Sequence, residues 1–306
     1  MRLVARRLVL LVPTLLGVAT LVFGFLHLLP GDPAEIMLGE SAAPADVAAL
    51  RRDLGLDRPL AAQYTRFIAG ALRGDLGRSI AFQAPVTHVI VARYPATLEL
   101  AAAAFVLAVA LALPLGIAGA MRPGSSLDRA ARLVTLAGAC VPSFWLGPML
   151  IFVFSMELGW FPVSGRGGLA HLVLPAVTLG LAMTGVLVRL TRTSLLAALG
   201  DGYVRTARAK GVGEWRVVSV HALRNALLPV TTVAGLQVGA LLAGAIITET
   251  IFAWPGIGRL VVQAIDARDY LLVQGCVLAI GLTYVAVNTL TDLLQRAIDP
   301  RLRDGG

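Results

Sequence analysis

Six stretches of this chain run almost without charge over lengths that match the apolar thickness of a bilayer, and nothing else restricts the fold so tightly. Residues 8–29 hold only neutral His27. Residues 97–121 hold only Glu99, 131–156 only Arg132, 172–190 only Arg189, 227–252 only Glu249 and 271–295 only Asp292. As helices each can cross about 30 Å of hydrocarbon. The charge in each lies toward one end, within reach of water or headgroups. Mean hydropathy is +0.80 and charged residues make up 14% of the chain, too few to cover a soluble domain of 306 residues. The expected fold is therefore an all-α integral membrane protein with six transmembrane helices.

Six crossings place both termini on one side, and the distribution of basic residues selects it. With the termini inside, the inner segments hold sixteen Lys or Arg against six Asp or Glu. The outer segments hold ten against twelve, which accounts for the net +8. Both termini are expected in the cytoplasm. The basic balance follows from membrane topology and does not point to nucleic acid. Residues 1–29 resemble a signal peptide in outline. The apolar run is too long, however, and Leu28-Leu29-Pro30-Gly31 is no small-x-small cleavage site, so this is read as a retained first helix.

The chemistry of most enzyme classes is missing. The single lysine, Lys210, is followed by Gly211 rather than Ser or Thr, and position 205 is Arg, so no phosphate-binding loop forms there. His27, His88, His171 and His221 make no zinc-protease spacing, and no Ser sits in a Gly-x-Ser-x-Gly turn. Cys140 and Cys276 lie in different spans with no ligand spacing. No metal, cofactor or catalytic residue is expected in this chain.

Residues 30–95 form the one sizeable hydrophilic region outside. Gly31-Asp32-Pro33 reads as a turn, 45–53 as a helix with Pro44 near its start, 60–72 as an amphipathic helix, and Gly74-Asp75-Leu76-Gly77 as another turn. Trp160-Phe161-Pro162 and Trp254-Pro255 read as interfacial anchors at the outer ends of spans. Pro142 and Pro148 are expected to kink the third span. Pro142 and Ser143 there, with Gln237 and Asn288 deep in spans five and six, are candidate pathway-lining residues. Gly235, Gly239 and Gly244 suit span five to close packing.

The stretch between spans four and five, 193–229, is far longer and more basic than a connector needs. Residues 193–210 are expected to form a helix along the membrane face, broken at Gly211-Val212-Gly213. Glu214 favours a new helix start by its charge. Ala207 and Gly211 lie one turn apart and are small enough to admit another surface. Tyr203, Arg205, Thr206, Ala207, Arg208, Ala209, Lys210, Gly211, Glu214 and Trp215 are the candidate docking residues for a soluble partner.

This segment resembles the EAA loop of binding-protein-dependent ABC importers. Gly211 lies four residues after Ala207, which places Arg205-Thr206-Ala207 at the Glu-Ala-Ala position; the wording Thr206-Ala207-Arg208-Ala209-Lys210-Gly211 is that of the peptide-transporting branch. Gly202 departs from the acidic residue common there. The similarity extends along the whole chain through Leu29-Pro30-Gly31-Asp32-Pro33-Ala34, Leu54-Gly55-Leu56-Asp57-Arg58-Pro59-Leu60, Gly74-Asp75-Leu76-Gly77, Glu157-Leu158-Gly159-Trp160-Phe161-Pro162, Phe252-Ala253-Trp254-Pro255-Gly256-Ile257-Gly258, Arg268-Asp269-Tyr270 and Asp299-Pro300-Arg301, in that order.

The resemblance implies a "B"-kind permease subunit of the dipeptide, oligopeptide and nickel permease family, with the type I (MetI-like) importer fold in the bacterial cytoplasmic membrane. It implies a homologous second permease, two cytoplasmic ATPases that bind ATP and magnesium, and an external solute-binding protein, all against a background of membrane lipid. The implied cargo is a di- or oligopeptide. Glutathione or a nickel complex is the alternative within the class, and an ion-coupled secondary transporter is the alternative outside it.

Overall fold

Residues 13–24, 32–39 and 42–298 are described by a computed structural model. Every regular element among them is helical; the only strand-like feature is an isolated bridge between Arg78 and Pro85. Among the described residues, four helices are long and apolar enough to cross a membrane: within α5 (Val86–Met121), α8 (Leu169–Gly200), the run from Glu214 to Leu242, and α13 (Tyr270–Ile298). A fifth candidate is a pair, α6 (Ser126–Cys140) and α7 (Ser143–Leu150) with its π-helical continuation to Glu157, bent by 112°. The kink expected in the third span, 131–156, is a corner between two helices, placed at Pro142. Val141 is extended at ψ 111, and the residue before a proline avoids the helical region. Pro142, which has no amide hydrogen, then starts α7. The expected first span is described only in part, as the apolar helix α1 (Pro13–Gly24); residues 8–12 and 25–29 lie outside the described residues.

The chain divides into two compact units. The first comprises residues 1–97 and 255–286. Its hydrophilic part holds α2 (Pro33–Leu38), α3 (Pro44–Leu54) and α4 (Leu60–Leu72). Asp32 and Pro33, expected as a bare turn, start α2: the Asp32 carboxylate accepts from the Ala34 amide at 3.0 Å and Pro33 occupies the first turn. Phe23 of α1 meets Tyr64 edge-on at 5.3 Å and Phe67 at 5.9 Å, which seats α4 on α1. Helix α5 starts at Val86, so 86–95 are helical rather than part of a hydrophilic segment. An amphipathic helix, α12 (Ile257–Asp266), precedes α13 and buries Ile257, Leu260, Val261 and Ala264 with Val86, Val89, Ile90, Leu272 and Cys276. Asp269 caps α13 through the Leu272 amide at 3.1 Å. It also takes hydrogen bonds from the Ser79 hydroxyl at 2.5 Å and the Ala81 amide at 3.1 Å, fixing the turn after Gly77.

The second unit comprises 98–254 and 287–306. Glycine sets its helix spacing. A Cβ on Gly138 of α6 would lie 2.7 Å from the Leu181 carbonyl of α8, and one on Gly180 would lie 2.9 Å from the Ala104 carbonyl of α5. In α11 (Leu223–Ile251) a Cβ on Gly235 would strike the Thr291 methyl of α13 at 2.2 Å. At one end of the unit, the Arg166 guanidinium binds Glu99 at 2.5 and 2.8 Å and lies 6.0 Å over the Trp254 ring. Trp254 itself is fully buried. It is a core residue, unlike the interfacial anchor expected of it, because Ala253 at φ 50 turns the chain back on the unit. Trp160 is 64% exposed.

Candidate docking surface

The helix expected over 193–210 is two helices. Leu195 and Ala198 face the core and carry α8 on to Gly200, and Asp201, extended at ψ 152, separates it from α9 (Gly202–Ala209). Helix α9 is amphipathic over two turns. Val204 and Ala207 point inward, while Tyr203, Arg205, Thr206, Arg208 and Ala209 are exposed. The inward pair packs with Ala120 of α5, Leu195 and Ala198 of α8, Val217 and Ala222 of the following π turn, and Ala226 of α11. Helix α9 is therefore bolted to the ends of three long helices, with its polar side turned away from them.

The spacing of Ala207 and Gly211 has a conformational cause within the chain. The Gly211 amide donates to the Arg208 carbonyl at 2.9 Å, and the Val212 amide donates to the Ala207 carbonyl at 3.2 Å. This pair of bonds is a Schellman helix end, which requires a left-handed residue four positions after the carbonyl that accepts the outer bond. Gly211 is that residue, at φ 77, and no neighbour lies within 4 Å of where its Cβ would stand. Val212 closes the motif by packing on the Ala207 cluster.

Across the turn, Arg208 donates to Glu214 from Nη2 at 2.6 Å and from Nε at 3.0 Å. The Arg208 hydrogen bond holds the Glu214 carboxyl below its ordinary value. Glu214 begins α10 (Glu214–Arg216), which runs through a π-helical turn, Val217–Ala222, into α11. Val217 and Val218 are buried beneath it, while Trp215 stands 77% exposed on the outer side. Lys210 and Gly211 are also exposed. The result is a firm platform with four exposed cationic side chains, Arg205, Arg208, Lys210 and Arg216, and a bare indole. It offers charge-assisted hydrogen bonds and one large apolar contact to a soluble surface.

The candidate pathway residues fall in two places. Gln237 and Asn288 are half-buried, each within about a turn of the point where the Thr291 hydroxyl bonds the Gly235 carbonyl at 3.3 Å. Pro142 and Ser143 lie at the α6–α7 corner, Pro142 exposed and Ser143 half-buried. Sequence reasoning passed over Asp128, a carboxylate with no exposed surface that binds Arg132 and Arg192. Its signal was Ser125 three residues earlier, a helix-capping spacing in which the Asp128 amide bonds the Ser125 hydroxyl at 3.2 Å. Among the described residues no group of three His, Cys, Asp or Glu side chains is placed to hold a metal.

Long apolar helices joined through a polar platform define the class of this protein, an α-helical integral membrane protein. The chain belongs to the family of binding-protein-dependent transport system inner membrane components, whose model matches residues 112–304, with the N-terminal model of the same transport systems matching residues 1–101. It is an inner-membrane permease subunit of an ABC transporter. It is 44% identical to the dipeptide transport system permease protein DppB of Escherichia coli (strain K12) over 98% of both chains. It is also 44% identical to the di/tripeptide transport system permease protein DppB of Pseudomonas aeruginosa, again over 98% of both. The glutathione transport system permease protein GsiC of Salmonella typhimurium shows the same identity and coverage.

Proposed function

We propose that this chain is one of two membrane-spanning subunits of an ATP-driven importer and moves di- or oligopeptides from an external binding protein into the cytoplasm. The α9–α10 platform carries this reading: its apolar side is spent on the chain's own helices, so its exposed Arg205, Lys210 and Trp215 face a partner. That partner is the pair of ATPases, one docking on each permease. ATP and magnesium are bound there, since this chain has no Gly-Lys-Ser/Thr loop of its own. Six spans, at 8–29, 97–121, 131–156, 172–190, 227–252 and 271–295, place both termini and the platform in the cytoplasm and residues 30–95 outside.

The test is assembly. R205E/K210E and W215A permeases, co-expressed with their second permease and ATPases, are expected to lose co-purifying ATPase at least about tenfold. Undiminished recovery from all of them would end the docking claim. Purified alone, the chain is expected to hydrolyse no ATP. The glutathione permease at equal identity supports one second reading, glutathione as cargo. Uptake of labelled alanyl-alanine against labelled glutathione, with the cognate binding protein, separates the two.

A further inference from the structure

Asp128 stands in the first turn of α6 with no exposed surface. Its Oδ1 accepts from Arg192 Nε at 2.6 Å. Its Oδ2 accepts from Arg132 Nη2 at 2.5 Å, the Gly124 amide at 2.9 Å and Arg192 Nη2 at 3.4 Å. Gly119 of α5 covers it, since a Cβ there would lie 3.4 Å from Oδ1. These donors, the Arg192 hydrogen bond first, hold the carboxyl well below the usual carboxylate range. A buried ion pair is a weak way to gain stability but a directional one, because loss of either partner leaves a charge unmatched.

Its place in the unit gives that direction a use. Arg192 lies two turns before the end of α8, where Leu195 and Ala198 join the cluster that seats α9. That cluster draws on α5, α8, α9, the π turn and α11, and contains no residue of α6. At this end of the unit the polar link from α6 to α8 runs through Asp128, while farther along the two helices pack directly, Gly138 against Leu181 and Gly185 against Thr135. At its other end α6 leads into the 112° corner at Pro142, beyond which Gly147 of α7 packs against Ile251 and Phe252.

We infer that Asp128 is a positioning residue of the coupling step: through Arg192 it makes α6 travel with the docking platform, so that displacement of α9 reaches the α6–α7 corner. The inference rests on the docking function proposed above. Coupling requires an element that both a motor and a pathway can bias, and α6 joins the platform end of α8 at Asp128 to the corner at Pro142.

The test uses the full transporter in proteoliposomes, with Cys140 and Cys276 replaced by serine and spin labels at exposed Leu133 of α6 and at exposed Gly202 of α9, where nothing lies within 4 Å of the Cβ position. In the otherwise wild-type protein the label separation is expected to be narrow and to stay constant on ATP–vanadate trapping. D128N is expected to broaden it and to cut alanyl-alanine uptake per ATP hydrolysed about tenfold while hydrolysis persists. R192K, which keeps one charged donor, is expected to fall between D128N and wild type. R132A, which removes the 61% exposed partner, is expected to stay within about twofold. A D128N transporter with wild-type label separation and uptake per ATP would overturn the inference. So would a variant whose assembly, hydrolysis and uptake all fall in proportion, which marks a structural role alone. If wild type imports no alanyl-alanine while D128N still broadens the separation, the cargo reading fails and the clamp stands. If no ATPase docks, the label separation without nucleotide decides the clamp by itself.

Discussion

Gly211 can be glycine for its backbone or for its size, and the two accounts order its variants differently. At φ 77 with open space around the Cβ position, the strain of a side chain is in the backbone, about 1–2 kcal/mol for an ordinary residue. Asparagine tolerates this region better than alanine does. G211N is therefore expected to retain more co-purifying ATPase and more uptake than G211A, with G211V lowest. If alanine outperforms asparagine, close approach of the partner sets the requirement instead. The sequence places the helix break at Gly211 and its spacing from Ala207, but not the pair of hydrogen bonds, Gly211 to Arg208 and Val212 to Ala207, that ties the two together. Trp254 shows the same blindness at one residue's scale. Beside a proline at the end of a span it reads as an interfacial ring, yet the left-handed Ala253 turns it into the core. Asp128 was counted only as a charge, because nothing local reveals that Arg192, 64 residues later, will bury it.

At the scale of elements, helices whose ends carry local signals were legible. Helix α4 falls at 60–72 as the apolar spacing expects, and α3 begins at its proline. Elements defined by what they pack on were not. Helix α8 overruns its apolar span by ten residues because Leu195 and Ala198 find a core beneath α9. Helix α12 went unseen because it is short and its apolar face is paired with α5 and α13. The α6–α8 contact yields a sharp prediction. G138A places a methyl 2.7 Å from the Leu181 carbonyl, a backbone atom that cannot step aside, and is expected to cost about 1–3 kcal/mol. Gly200, at the end of α8 with nothing within 4 Å, is the control. G200A is expected to be neutral or to gain up to about 1 kcal/mol of helix propensity. Thermal unfolding of the two variants in one detergent measures the difference, and equal midpoints would mean α6 and α8 are not packed backbone to backbone.

For the whole molecule, the α6–α7 corner decides the proposed topology. If it turned back to the side it came from, every later segment would change sides, and the basic platform at 203–216 would lie outside. Two ion pairs within the second unit argue against that. Glu99, early in α5, binds Arg166, just before α8. Asp128, just after α5, binds Arg192, late in α8. The starts of α5 and α8 thus share one side and their ends share the other. We propose on that ground that the chain between them passes from the second side to the first, with the bent pair as one crossing. Counting basic residues leads to the same arrangement by an independent route. The outcome is measurable with single cysteines in a variant lacking Cys140 and Cys276. A membrane-impermeant maleimide applied to intact spheroplasts is expected to label position 46 in α3 and position 165 before α8. It is expected to label position 124 and position 205 only after the membrane is broken. Labelling of 165 and 205 from the same side would show that α8 does not cross; labelling of 124 and 165 from the same side would show that the corner turns back. Labelling of 205 in intact spheroplasts would remove the platform from the compartment where an ATP-hydrolysing partner can reach it.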